Sequence, residues 1–238
     1  MSGSSPAARH QAHEPLLALV DRGFELAQEA ACRAAEAFAG STADAVQKVS
    51  ECEHELDRLD HDLDEGLGPA LAAAGQEHIA ELLACLKLMI DLERIGDLLV
   101  SAVTTAKAVT GKLDMEDVTD FIKMCSTLEN MLGDARDAFR KRNQQLALRL
   151  LRADGEIDRR RNLVVMRQLE GSTASGPHGI HVVGIAQTIE RAGDHATNLA
   201  EEICHLCSGH SLRHARRSLE KSDEQMFIER LRRQYPRR

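Results

Sequence analysis

A chain of 238 residues with a net charge of −8, 62 Ala plus Leu, one Tyr and no Trp is poorly suited to strands, which favour aromatic and β-branched residues. The acidic balance argues against wrapping nucleic acid, and no apolar run approaches the about 20 residues of a membrane span. Residues 1–15 carry no apolar core of a secretory signal, so a cytoplasmic protein is expected.

In chain order, the apolar periodicity predicts helices near 14–39, 42–72, 76–110, 114–142, 144–170 and 178–208. Gly40-Ser41-Thr42 separates the first two, with Ser41 or Thr42 as the expected cap of the second. Pro69 is expected to bend that helix or end it early, and Ala73-Ala74-Gly75 closes it. Gly111 ends the third run and Asp114 is placed to cap the fourth. Lys141-Arg142-Asn143 breaks the fourth from the fifth, and 171–177 is a Gly/Ser-rich loop. Gly209 closes the sixth run before a tail helix near 212–233. Residues 209–238 hold nine Lys/Arg against four Asp/Glu, so this tail is +5 and the preceding 208 residues are −13. It reads as a solvated helical extension. The six cysteines (32, 52, 85, 125, 204, 207) fall at apolar phases and read as small buried hydrophobes, Cys204-xx-Cys207 included.

The chain repeats itself. Asp91-Leu92-Glu93-Arg94-Ile95-Gly96-Asp97 returns as Thr188-Ile189-Glu190-Arg191-Ala192-Gly193-Asp194, displaced by 97 residues. Glu53-x-x-Leu56-Asp57 returns as Asp154-x-x-Ile157-Asp158, displaced by 101. Two matches in one order at nearly one offset mark a tandem duplication. The expected fold is all-α: two tandem antiparallel three-helix bundles spanning 14–111 and 112–210, followed by the tail 211–238.

Each matched segment carries two acids four residues apart: Glu53/Asp57, Glu93/Asp97, Asp154/Asp158 and Glu190/Asp194. Such pairs share a helix face. The apolar stripes run through Val49, Cys52, Leu56, Leu59 and Leu63; Cys85, Leu88, Leu92, Ile95, Leu99 and Ala102; Leu150, Ala153, Ile157 and Val164; and Val182, Ile185, Ile189, Ala192, Ala196 and Leu199. The acid pairs lie beside these stripes, about 100° round the helix. If the second and third helices of each unit are neighbours, two pairs meet and make a four-carboxylate patch. Four carboxylates repel one another, so protons, basic partners or a metal cation must compensate; four pairs in register with the duplication favour a cation (iron, Mn, Mg or Zn) over a solvated edge paired with Lys/Arg. Arg94 and Arg191 neutralise part of that charge. Gly96 and Gly193 each cost about 1 kcal/mol in a helix interior, which points to close approach by a neighbouring helix or ion.

Ile189-Glu190-Arg191-Ala192-Gly193-Asp194-His195-Ala196-Thr197-Asn198-Leu199-Ala200-Glu201 resembles the signature of the PhoU family of phosphate-uptake regulators. The first copy, Asp91 to Asp97, resembles the same string, and the pairs Glu53/Asp57 and Asp154/Asp158 resemble the family's helix-two acids. The likeness covers roughly 14–214. It implies two three-helix bundles related by a pseudo-twofold, with metal clusters on the acidic patches. It also implies a non-enzymatic adaptor that represses phosphate import and signalling. The implied partners are the ATPase of a phosphate ABC transporter and a phosphate sensor histidine kinase, with membrane association only through them and a homodimer as an option. In the first copy Leu98 and Ser101 stand where the second has His195 and Asn198, so the C-terminal patch is expected to bind metal more tightly.

Two rivals stand beside this reading. One is an accessory protein of another phosphate carrier. The other is a carboxylate-bridged di-iron enzyme, for which Glu51-x-x-His54 and Glu202-x-x-His205 supply the strings at unmatched repeat positions. Lone histidines, His61 and His78 among them, receive no role.

Overall fold

The structure is a computed structural model that describes residues 13–40, 44–109, 113–170 and 177–208. Six helices fill these ranges: α1 (Glu14–Phe38), α2 (Ala45–Ala73), α3 (Gln76–Ala108), α4 (Met115–Lys141), α5 (Gln144–Glu170) and α6 (Pro177–Ser208). Among the described residues there is no strand, and no helix is long and apolar enough to cross a membrane. Residues 41–43, 110–112 and 171–176 and the tail 209–238 lie outside the described residues, and with them the expected caps Ser41 and Thr42, the breaks at Gly111 and Gly209, and the tail helix.

Short connectors force antiparallel neighbours. Helices α1, α2 and α3 pack together, α4, α5 and α6 do likewise, and the two groups join through α3 against α6 and α1 against α4. Repeat-equivalent helices therefore face each other, as a pseudo-twofold between the units requires. The α1–α4 seam holds four of the five phenylalanines. Phe38 meets Phe121 at 5.2 Å and Phe24 meets Phe139 at 5.8 Å between ring centroids. The side chains of Val49, Cys52, Leu56, Leu63, Leu88, Leu92, Ile95, Ile157, Ile185 and Ile189 are buried, so the stripes read from the sequence form the core.

Two local expectations need correction, while the break at 141–143 falls where the sequence predicts it. Pro69 does not end α2, which continues to Ala73. Lying in the last turns, its missing N–H removes one hydrogen bond and the remaining turn is held by Ala74 N–H to Ala70 O at 2.8 Å. Asp114 precedes α4 but its side chain makes no capping bond. The break near 142 is a Schellman ending: Asn143 N–H reaches Ala138 O at 3.0 Å and Arg142 N–H reaches Phe139 O at 3.3 Å. Asn143 Oδ1 then caps α5 by accepting from the amides of Gln145 and Leu146.

Polar contacts pin the two units. Arg136 on α4 donates to both carboxylate oxygens of Asp21 on α1, at 2.8 Å each, and also reaches Glu25. The guanidinium bond holds the Asp21 carboxyl below its usual range. A depressed carboxyl contributes stability above its unfolded pKa of about 3.9 and loses it as pH falls through the folded value. Arg136→Met is expected to lower stability by about 2–3 kcal/mol at neutral pH. That deficit should shrink as pH falls below the unfolded carboxyl value of about 3.9 and on through the lower folded value of Asp21. Urea unfolding between neutral pH and the acid limb measures both.

Candidate functional site

Packing of α2 on α3 depends on Gly96. A Cβ there would stand 2.9 Å from Leu56 Cδ1 and 3.6 Å from Glu53 Cα, so the glycine is what lets α2 lie this close. The same solution recurs at Gly193, where a Cβ would meet Ile157 Cδ1 at 3.0 Å and Asp154 Oδ1 at 3.4 Å. Leu56 and Ile157 are themselves repeat equivalents. Both glycines thus serve close helix approach, and that approach brings the acid pairs of neighbouring helices together.

In the first patch, Glu93 is partly buried, and burial pushes its carboxyl above the usual range, with Asp97 and Asp60 adding repulsion against the pull of Arg94. Glu53 backs onto Gly96 and lies 3.1 Å from the exposed His54 ring. Asp60 is a member that sequence reasoning missed. Burial raises its pKa first, and the carboxylates of Asp64 and Asp57 add to it. Its Oδ1 is buried without a hydrogen-bond partner. Asp60 lies three residues beyond Asp57, on the same face as Glu53 and Asp57, which is the signal that could have found it. Arg94 bends back over the rim to Glu93 at 3.5 Å and Asp97 at 3.3 Å, but its side chain is more than half exposed.

The second patch is built differently. Burial again raises Glu190, and Asp194 and Asp158 add to the shift, but Arg161 opposes it. Arg161 Nη2 donates to Glu190 Oε1 at 3.1 Å and stands 3.9 Å from Asp158 Oδ1. At the offset of 101 that relates Asp57 to Asp158, Arg161 is the counterpart of Asp60. One patch therefore has a fifth carboxylate where the other has a guanidinium. The eight sequence-predicted acids lie along the α2–α3 and α5–α6 seams, but among the described residues no three of them bring a carboxylate oxygen each within 4.8 Å of one another.

A family model described as the PhoU domain matches residues 20–106 and 121–203, more than half of the chain and both copies of the repeat. The chain belongs to the PhoU family. Among similar proteins is the phosphate-specific transport system accessory protein PhoU homolog 1 of Thermotoga maritima, 29% identical over 185 residues, 75% of this chain and 79% of that one. A PhoU homolog of the same description from Pseudomonas aeruginosa is 27% identical over 177 residues, 71% of this chain and 72% of that one. The crystal structure of PhoU from Pseudomonas aeruginosa superposes with a TM-score of 0.74 at 22% identity, covering 84% of this chain and 99% of that chain. PhoU from Streptococcus pneumoniae gives 0.73 at 19%, covering 86% and 97%. These two show the shared fold.

In this PhoU-family chain, His195 and Asn198 do not complete the second patch. His195 Nδ1 lies 2.7 Å from Asp91 Oδ1 and Asn198 Nδ2 donates to the same oxygen at 3.3 Å, so both tie α6 to α3. His195 lies about 100° round the helix from Asp194, and Asn198, three residues beyond His195, stands between the two directions, close enough to the α3 seam to reach Asp91 as well. Glu202, the acid of one Glu-x-x-His string, is buried at that seam and accepts from Lys87 Nζ at 3.0 and 3.1 Å. Glu51 and His54 of the other string are exposed on α2. The two strings therefore share no centre. All six cysteines are free, and burial pushes the Cys85 thiol up to about 12 and those of Cys52 and Cys204 up to about 11.

Proposed function

We propose that this chain is a negative regulator and adaptor of phosphate uptake and phosphate-responsive signalling. The observation that carries the reading is the PhoU-domain match through both repeats, with acid motifs at equivalent seams of the two units. Its curated relatives are named as accessory proteins of the phosphate-specific transport system. On this reading the chain works in the cytoplasm, meets the membrane only through partners, and restrains the ATPase of a phosphate ABC transporter and a phosphate sensor histidine kinase. It acts by binding, alone or as a homodimer, and needs no catalysis of its own. The folding units 14–111 and 112–210 supply the two halves of the docking body, with the basic tail 211–238 beyond them.

A metal cation is part of the proposal, and the two patches fit it unequally. The first offers Glu53, Asp57, Glu93 and Asp97 with the unpartnered Asp60 Oδ1 among them, an all-oxygen set suited to Mg²⁺, Mn²⁺ or iron. A bound cation there would add to the positive charge that the largely exposed Arg94 brings to Glu93 and Asp97 at the rim. The second holds Asp154, Asp158, Glu190 and Asp194, but Arg161 already supplies a positive charge to Glu190. We therefore place the tighter site at the first patch, the reverse of the order expected from the flanking residues.

Deleting the gene is expected to derepress phosphate import in phosphate-rich medium, read as faster uptake and more polyphosphate. Pull-down from phosphate-replete cells should recover a transporter ATPase or histidine kinase. Recovery of the ATPase of a different phosphate carrier would favour the accessory role for that carrier. Unchanged uptake in a strain without a second PhoU-family gene would refute the regulatory reading.

A further inference from the structure

The starts of α1 and α3 bring together three groups that lie far apart in the sequence. His13 immediately precedes α1, and His78 and Glu81 occupy the first two turns of α3. His13 Nε2 and His78 Nδ1 each stand 3.8 Å from Glu81 Oε2, and one ligand atom from each of the three residues falls within 4.8 Å of the others. The imidazole rings stack at 4.2 Å with an interplanar angle of 22°. The side chains are 7%, 16% and 19% exposed for His13, His78 and Glu81.

A separation of 3.8 Å is too long for a hydrogen bond. It is close to the edge of a coordination tetrahedron, where bonds of about 2.0–2.2 Å put neighbouring ligand atoms roughly 3.3–3.6 Å apart. Two of the three edges thus exceed a tetrahedral edge by a few tenths of an ångström and the third lies within 4.8 Å; closing the cluster onto an ion also turns the imidazoles out of their stack, because each nitrogen lone pair lies in its ring plane. Face-to-face stacking suits two neutral rings, and neutral imidazole is the form that binds metal.

The surroundings hold these groups in place. Glu81 Oε1, the oxygen turned from the histidines, takes the Arg142 guanidinium. His78 Nε2, the nitrogen turned from Glu81, stands 3.8 Å from Glu77 Oε1. Carboxylates and cations in such outer positions orient ligands and tune their basicity. Arg142 adopts φ 49° and ψ 44°, the left-handed position of the Schellman ending where glycine is the usual residue. Its side chain crosses the Phe139 ring at 5.0 Å on the way to Glu81. The strained residue is the one whose head reaches this cluster.

We propose that His13, His78 and Glu81 form a Zn²⁺ site, with water in the fourth position, that ties the start of α1 to the start of α3. Two imidazoles and one carboxylate select a borderline first-row ion over Mg²⁺ or Ca²⁺. Glu81 and Glu93 are twelve residues apart on one helix, about 18 Å along its axis, so this site is separate from the carboxylate patches. It does not rest on the regulatory reading.

Co²⁺ substitution in the untagged full chain tests the site, with excess Mg²⁺ present to occupy the carboxylate patches. Four-coordinate Co²⁺ with nitrogen ligands gives intense visible bands, whereas six-coordinate oxygen sites give weak ones. The expected result is one equivalent of intense absorption, displaced by Zn²⁺, with a higher melting temperature when Zn²⁺ is added. The band and the Zn²⁺-dependent rise should be lost in His78→Gln and in His13→Gln, and kept in Glu53→Gln with Glu93→Gln. Should a His variant fail to fold by circular dichroism, Glu81→Gln reads the same loss. Absence of the band in the wild type, or a band that survives the His and Glu81 variants, overturns the site.

Discussion

Arg167→Ala is expected to destabilise the protein by about 3–5 kcal/mol, the cost of leaving a buried carboxylate without its cation. Arg167 on α5 donates Nε to Asp117 Oδ1 at 2.8 Å and Nη2 to Asp120 Oδ2 at 2.5 Å. Asp117 is only 2% exposed at its side chain, and its second oxygen accepts from Gln168 Nε2 at 2.8 Å. Asp120, 9% exposed, also accepts from Arg160 Nη1 at 2.8 Å. Burial raises the Asp117 carboxyl, and the Arg167 contact pulls against that shift. With Arg167 removed, the raised carboxyl has little to hold its charge. Adding Asp117→Asn to Arg167→Ala should recover part of the loss, because a buried amide costs less than a buried charge. Urea unfolding of the wild type, the single variants and the double variant measures the coupling. A penalty below about 1 kcal/mol would mean the cluster is solvated like a surface pair.

Neutralising the first carboxylate patch should have the largest effect on cation binding. Glu93→Gln with Asp97→Asn is expected to weaken Mg²⁺ or Mn²⁺ binding on the order of a hundredfold, about 2.8 kcal/mol. The same variant should melt higher than wild type without cation. The sign follows from Glu93, whose folded pKa is raised by burial and by Asp97. Such a group favours folding only while protonated, and that contribution is lost as pH rises through the folded value, so the ionised form is a burden at neutral pH. At the second patch, Glu190→Gln with Asp194→Asn should change cation binding less, because Arg161 already stands against Glu190. Arg161→Met removes that guanidinium and should raise affinity there by tenfold or more, about 1.4 kcal/mol. Isothermal titration with Mg²⁺ and Mn²⁺, alongside melts with and without cation, tests all three variants. Equal affinity in wild type and in the Glu93/Asp97 variant would make the first patch a solvated edge.

Helix positions were legible from the sequence because burial of a 3.6-residue stripe and the placement of Gly and Pro are local facts. The predicted spans differ from the observed ones by at most three residues at any end. The duplication, the pairing of Glu53/Asp57 with Glu93/Asp97 and of Asp154/Asp158 with Glu190/Asp194, and the purpose of Gly96 and Gly193 were also readable, since each depends on period and offset alone. Asp60 was within reach of the same arithmetic.

What only the tertiary structure decided depends on which faces meet across the seams. His195 and Asn198 follow Asp194 in sequence, yet they bond Asp91 because the pseudo-twofold lays α6 on α3. Arg161 reads as one more arginine in Arg159-Arg160-Arg161 until α5 packs on α6 and sets its guanidinium against Glu190. Asp117 and Asp120 look like exposed acids of the first two turns of α4, and become buried when α5 covers them with Arg160 and Arg167. His13 and His78 are separated by 65 residues and meet only because two helix starts share one end of the first unit. Sequence period fixes which residues share a face of one helix; contact between faces of different helices is a property of the packed chain.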